Sequence, residues 1–194
     1  GVANSQNKIE QLKQYKCAEY GHLEDILQDY LAQLEAQNTQ VRLCLAIACP
    51  VDKDIVKMTN LPWEFSKPEL KSKLGISQLL VINDYTAIAL SISLLDETQV
   101  VKIGGGEAKP QQPISICGPG TGLGVANLVP YMGDWISLGG EGGHVDFAPV
   151  DDTEVKILAY LQTKYSRVSA EQLLSGLGIE QIYQALCHIS GTAP

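Results

Sequence analysis

Glycines stand at every second position through Gly118, Gly120, Gly122 and Gly124, with Thr121 between them. Such residues allow φ > 0 and let main-chain N–H groups approach a ligand with no Cβ in the way. Successive N–H groups in a turn of this kind form an anion-binding concavity, and Thr121 adds a hydroxyl donor. A dinucleotide fingerprint would need glycine at its sixth position, but counting from Gly118, Gly120 or Gly122 gives Leu123, Val125 or Asn127. No helix pattern follows, and no Gly-Lys-Ser/Thr is present for a Walker-type loop. A phosphate-gripping hairpin is therefore one reading. A glycine-rich hairpin with no ligand is the other.

Three more groups have the residue types for chemistry. Glu141 and His144 lie three apart in Gly139-Gly140-Glu141-Gly142-Gly143-His144, so both can turn inward on an irregular loop. A carboxylate and an imidazole there suit a polyol, whose hydroxyls donate to Glu and accept from His. A metal held by Glu141, His144 and Asp146 is the rival, although the HExxH pattern and a neighbouring Cys/His cluster are lacking. Asn83-Asp84 ends an apolar run and opens a helical pattern, the place where open α/β sheets put their ligands. Capping that helix is an equal explanation. Glu171 falls in the first turn after Ser169, and there the helix dipole alone would justify a carboxylate.

The elements that must position these residues follow from periodicity. Ile114–Cys117 and Val125–Val129 flank the glycines as strand, turn and returning strand. His22–Gln37 carries Leu23, Ile26, Leu27, Tyr30, Leu31 and Leu34 on one helical face. Val41–Cys49 reads as a strand buried on both faces in a parallel or mixed sheet. Lys13–Tyr20 is weakly strand-like. Ser66 and Glu69 predict a capping box before a helix over Lys67–Leu74, with Gly75 as its stop.

Gln78–Ile82 is a further strand, leading through Asn83-Asp84 into a helix to Leu95, and Val100–Ile103 another strand. Gly104–Pro113 is the best linker, so the boundary is placed there, with domains at 1–104 and 105–194. Asp134–Leu138 and His144–Phe147 read as strands and Asp152–Ser166 as a helix. Ser169 and Gln172 form a second capping box. Gly176 and Gly178 separate that turn from a helix over Ile179–Ile189. Trp63 and Phe65 read as packing residues, and His22 and His188 as surface residues.

With 45% apolar and 19% charged residues, the 194-residue chain is globular and able to bury a real core. Its net charge of −8 argues against a nucleic-acid surface, and a polyanion would need local donors. No run reaches the roughly 18–20 apolar residues of a membrane span. The five cysteines are in no CxxC spacing, and four of them sit in apolar, core-like runs, which reads as reduced core thiols of a cytosolic protein. The polar opening at Gly1, without a methionine, suggests missing upstream residues.

Taken together, Leu45-Ala-Ile-Ala-Cys-Pro50 with Met58-Thr-Asn60, Ile82-Asn-Asp-Tyr-Thr-Ala87, Gly118–Val125 and Gly140-Glu-Gly-Gly-His-Val-Asp-Phe-Ala-Pro149 resemble the bacterial glucokinase family. Ser169-Ala-Glu171 and Leu174-Ser-Gly176 extend the likeness. The resemblance implies an α/β, actin-like (ribonuclease-H-like) fold of two domains closing on a cleft. It implies a phosphotransferase with an alcohol acceptor, moving phosphate from ATP with Mg²⁺ to the 6-hydroxyl of glucose at the entry to glycolysis. On it, Asp84 is the general base, and Asn83, Asp84, Glu141, His144, Glu171 and Asn60 bind the sugar. Gly118, Gly120, Thr121, Gly122 and Gly124 hold nucleotide phosphates.

The family's opening Asp-x-Gly-Gly-Thr-Asn loop and its later adenosine-site segments do not occur in the sequence. The expectation is thus a fragment truncated at both ends and inactive alone. The Cys-rich zinc segment of some relatives is absent, so structural zinc is not implied. A cytoplasmic homodimer, bound to neither membrane nor nucleic acid, is also implied. The alternatives are a non-catalytic sugar-binding or regulatory module of the same fold, and metal-dependent hydrolysis. A DNA-binding repressor is disfavoured by the acidic charge and the lack of a basic helix-turn-helix.

Overall fold

The computed structural model describes residues 1–6, 8–34, 41–59 and 61–193. These form two compact units, Gly1–Asp84 and Tyr85–Pro194. The first opens on a short antiparallel pair, β1 (Val2–Ala3) and β2 (Ile9–Glu10), followed by a 3-10 turn at Cys17–Glu19. The strand expected at Lys13–Tyr20 does not form. Tyr15 instead meets Tyr20 and Tyr30 edge to face, at centroid distances of 5.8 and 6.5 Å, and these ring contacts set the path of the segment.

Helix α1 (Leu23–Ala32) starts from a reciprocal capping box in which the His22 N–H donates to the Asp25 carboxylate at 3.0 Å. His22 is exposed, and residues 35–40, at the end of the expected helix, lie outside the described residues. Strands β3 (Arg42–Ile47), β4 (Ile55–Lys57) and β5 (Glu64–Ser66) follow, then α2 (Lys67–Lys73) and β6 (Gln78–Asn83). Ser66 caps α2 by accepting the Glu69 N–H at 3.4 Å, and Gly75, at φ 62°, follows its end.

β3 and β6 run parallel, in a register from Arg42↔Gln78 to Ile47↔Asn83, and β4 pairs antiparallel with β5. The core of this unit holds Ile47, Cys49, Val56, Phe65, Leu70 and Val81, with Leu23 and Leu27 of α1 packed against it. Trp63 is buried as well. Among the described residues one face of β3 is covered, not two. Arg42, Cys44 and Ala46 alternate outward, and Leu80 on β6 is 57% exposed. Apolar letters gave the same pattern for a covered face and an open one, so only packing could distinguish them.

Helix α3 (Asp84–Ser91) begins at the boundary between the units and runs into a 3-10 turn at Ile92–Leu94. No strand forms over Val100–Ile103, where Val101 and Ile103 are 86% and 94% exposed. A short apolar run without a neighbouring strand gains no ladder bonds and no burial. The sheet of the second unit is antiparallel, in the order β7 (Ile114–Pro119), β8 (Leu123–Tyr131), β9 (Asp134–Gly140). Met132 and Gly133, at φ 49° and 86°, make the two-residue turn between β8 and β9, whose twist suits a hairpin. Ala89 of α3 packs on Ala126 and Leu128 of β8, with Tyr85 and Trp135 around them.

After β9 the chain turns through a 3-10 segment at Gly142–His144, where a strand over His144–Phe147 was expected. Only a single antiparallel bridge, Asp146↔Ser169, takes its place among the described residues. Helices α4 (Asp152–Gln162) and α5 (Gly176–Ser190) enclose a second core of Ile157, Leu161, Val168, Leu173 and Ala185. The capping box of Ser169 and Gln172 forms on a 3-10 turn at Ala170–Gln172.

Gly176 and Gly178, expected to separate two elements, are instead the first turn of α5. Buried Ser175 caps that turn, its hydroxyl accepting the Gly178 N–H at 3.1 Å. Ser175→Ala is expected to lower stability by about 1 kcal/mol, since it leaves a helix N–H without its partner. Equilibrium urea unfolding measures this. All five cysteines are free, but only Cys49 and Cys187 are buried, so the expectation of core thiols holds for those two.

Candidate functional site

The parallel register of β3 and β6 brings Asn83 to the carboxyl end of the sheet, and Asp84 follows as the first residue of α3. Both side chains are half-buried. The carboxylate therefore lies at the positive end of a helix dipole, where an anion is favoured. Its charge reaches the end of β3: burial pushes the Cys49 thiol above its usual range, and Asp84 adds to that rise. Asn60, also expected at the sugar pocket, lies outside the described residues.

The second unit gathers the other candidates. β7 and β8 pair from Ile114↔Leu128 to Pro119↔Leu123, so the expected hairpin forms, with its strands running on through Gly118 and Gly124 and only Gly120-Thr121-Gly122 left as the turn. The Gly120 N–H donates to the Gly122 carbonyl at 2.8 Å, and the Gly120 carbonyl accepts the first N–H of α5, from Gly176, at 2.8 Å. Thr121 is exposed at the tip.

The reason for the glycines differs from the one expected. None of Gly118, Gly120, Gly122 and Gly124 is among the positive-φ residues. Two of them make room for an aromatic ring instead. Gly118 and Gly124 are register partners, and a Cβ on either would come within 3.0 Å of Tyr85. The Tyr85 hydroxyl donates to the Gly118 carbonyl at 2.6 Å. Gly122 serves a carboxylate: a Cβ there would lie 2.5 Å from Glu171 Oε2.

That carboxylate is the centre of the arrangement. Glu171 Oε2 accepts the Leu123 N–H at 2.8 Å, and Oε1 lies 3.6 Å from His144 Nδ1. The other imidazole nitrogen, Nε2, lies 3.5 Å from Glu141 Oε2. Two carboxylates thus flank one imidazole, and the inner one also holds the main chain of the glycine turn. Glu141 and His144 are largely exposed, whereas the Glu171 side chain is 31% exposed. Such a row presents both acceptors and a donor to a polyhydroxylated ligand.

Neighbouring chain segments hold the row in place. The Ala170 N–H donates to the Val145 carbonyl at 2.8 Å, and the Phe147 N–H to the Val168 carbonyl at 3.0 Å. Arg167 reaches back from the same segment, donating to the Asp146 carboxylate and, at 2.6 Å, to the His144 carbonyl. Asp146 is thereby engaged by Arg167. No group of three His, Cys, Asp or Glu side chains able to hold a metal occurs among the described residues.

Sequence reasoning missed Tyr85, Arg167 and the Leu123 N–H. The spacing of Gly118 and Gly124 was a signal for an aromatic lid over paired glycines. Nothing in the letters ties Arg167 to a carbonyl that lies 23 residues away.

The profile of the family described as glucokinase matches residues 2–194. A glucokinase of Colwellia psychrerythraea is 56% identical over 189 residues, covering 97% of this chain and 57% of that protein. One of Hahella chejuensis is 40% identical over 193 residues, covering all of this chain and 60% of the relative. Among solved structures, a glucokinase from an Antarctic psychrotroph superposes with a TM-score of 0.81 at 37% identity, covering 93% of this chain and 56% of the other. A Balamuthia mandrillaris glucokinase, solved with glucose, shares the fold at a TM-score of 0.59 and 21% identity over 87% of this chain and 51% of its own. The chain thus spans between about half and three-fifths of the length of these relatives.

Proposed function

This chain belongs to the glucokinase family, and from that premise we propose that the whole protein transfers the γ-phosphoryl group of ATP to the 6-hydroxyl of glucose. The actin-like α/β fold of the family is the scaffold. The observation that carries the reading is the row Glu141–His144–Glu171, tied through one N–H to the glycine turn. Groups suited to a sugar beside a turn suited to a phosphate support this reading.

In this reading Glu141, His144, Glu171, Asn83 and Asn60 hold the sugar hydroxyls. A hexose lacking one of them would leave a part-buried polar group unpaired and bind more weakly. Asp84 accepts the proton of the 6-hydroxyl as the new O–P bond forms. Phosphoryl transfer has a loose transition state, so alignment and charge neutralisation supply most of the acceleration. The turn carrying Gly118, Gly120, Gly122 and Gly124 receives the phosphates, through the Thr121 hydroxyl and main-chain N–H groups other than that of Gly120, which the Gly122 carbonyl takes.

The N–H groups and the Thr121 hydroxyl at this turn suit phosphate oxygens. Mg²⁺ would be carried on the phosphates and water, where it supplies charge neutralisation. We extend the proposal to a cytoplasmic homodimer with a small domain over 1–104 and a large one beginning at 105. No helix of the described residues is long and apolar enough to cross a membrane.

Purified full-length protein is expected to release ADP from ATP and Mg²⁺ only when glucose is added, read by a coupled assay. Glucose binding without ADP release would overturn the proposal in favour of a sugar-binding module. ADP release independent of glucose would overturn it in favour of a hydrolase.

A further inference from the structure

Resting on that reading, we propose that Glu171 has a second task beyond holding the sugar: it positions the main chain of the phosphate turn, so that sugar and nucleotide binding are coupled through one carboxylate. Its two oxygens are divided between the two sites. Oε1 faces His144, and Oε2 accepts the Leu123 N–H directly after Gly122. Gly122 has no Cβ at the point where Oε2 sits, so the turn and the carboxylate are fitted to each other. The N–H of Leu123 is taken by Glu171, and its service to the turn is to fix the path of the main chain there.

The direction of the coupling follows from position: sugar hydroxyls donating to Glu171 hold its carboxylate against the Leu123 N–H, and with it the turn. Bound glucose therefore raises affinity for nucleotide, and by linkage nucleotide raises affinity for glucose by the same factor.

The test uses the full-length enzyme and four variants, with the KM of each substrate extrapolated to saturation by the other. Glu171→Ala removes both tasks and is expected to raise the KM for glucose and for ATP, each by about tenfold. Glu171→Gln keeps an oxygen for the Leu123 N–H; it is expected to restore the KM for ATP to within about twofold of wild type while glucose binding stays weak. Gly122→Ala, a change in the nucleotide turn, pushes Oε2 aside and is expected to raise the KM for glucose. Glu141→Gln, which does not touch the turn, is expected to alter glucose alone.

Glu171→Gln is isosteric, so it remains a valid readout even if the alanine variant folds poorly. The proposal is overturned if Glu171→Ala or Gly122→Ala changes the KM of only its own substrate. It is equally overturned if the glutamine variant weakens ATP as much as alanine does. A wild-type enzyme without glucose-dependent ADP release would overturn the underlying function instead, so the two failures are distinguishable.

Discussion

Replacing Asp84 with asparagine in the full-length enzyme is expected to lower kcat by about a hundredfold or more, while the KM for glucose changes by less than about fivefold. Asparagine keeps the shape and most of the hydrogen-bonding capacity of the side chain. It cannot take up a proton from a hydroxyl. The half-buried position at the end of β6, at the start of α3, makes the change otherwise mild. Loss of a carboxylate from the first turn of a helix costs roughly 0.3–1 kcal/mol, too little to unfold a domain. Steady-state kinetics with saturating ATP decides the matter. A kcat within a few-fold of wild type would remove Asp84 from the chemistry.

The largest stability effect is expected at Gly143. This residue is buried in the 3-10 turn between Glu141 and His144, and a Cβ on it would come within 3.0 Å of the Leu123 carbonyl oxygen. The obstacle is main chain, held by the β7–β8 ladder on one side and by Glu171 on its N–H. No flexible side chain can swing aside. Gly143→Ala is therefore expected to destabilise the protein by about 2–3 kcal/mol, at the upper end of overpacking effects.

Because Glu141 and His144 flank the altered turn, the KM for glucose is expected to rise as well. Gly140→Ala is the control, since a Cβ there meets nothing within 4 Å. Urea unfolding of the two variants, compared through midpoint and slope, gives the difference. Equal midpoints for Gly143→Ala and wild type would show that the turn does not rest on Leu123.

Local features were legible in the letters alone. Apolar runs around the glycines specified the β7–β8 hairpin, because strand, turn and strand are set by neighbouring residues. Ser66, Ser169 and the alternation from β6 into α3 marked helix starts for the same reason: a cap acts over three or four positions. The Asn83-Asp84 pair at the end of a strand was likewise readable from order alone. Family resemblance then named the candidate residues, and three of them, Glu141, His144 and Glu171, stand together in the second unit.

Packing settled which distant residues meet. It assigned Gly118 and Gly124 to the Tyr85 ring, Gly122 to Glu171 and the His144 carbonyl to Arg167. It left one face of β3 open and gave Val100–Ile103 no strand partner among the described residues. Each of these outcomes turns on whether a second surface arrives at a given place. Periodicity reports which residues can be covered; only the packed chain determines which of them are.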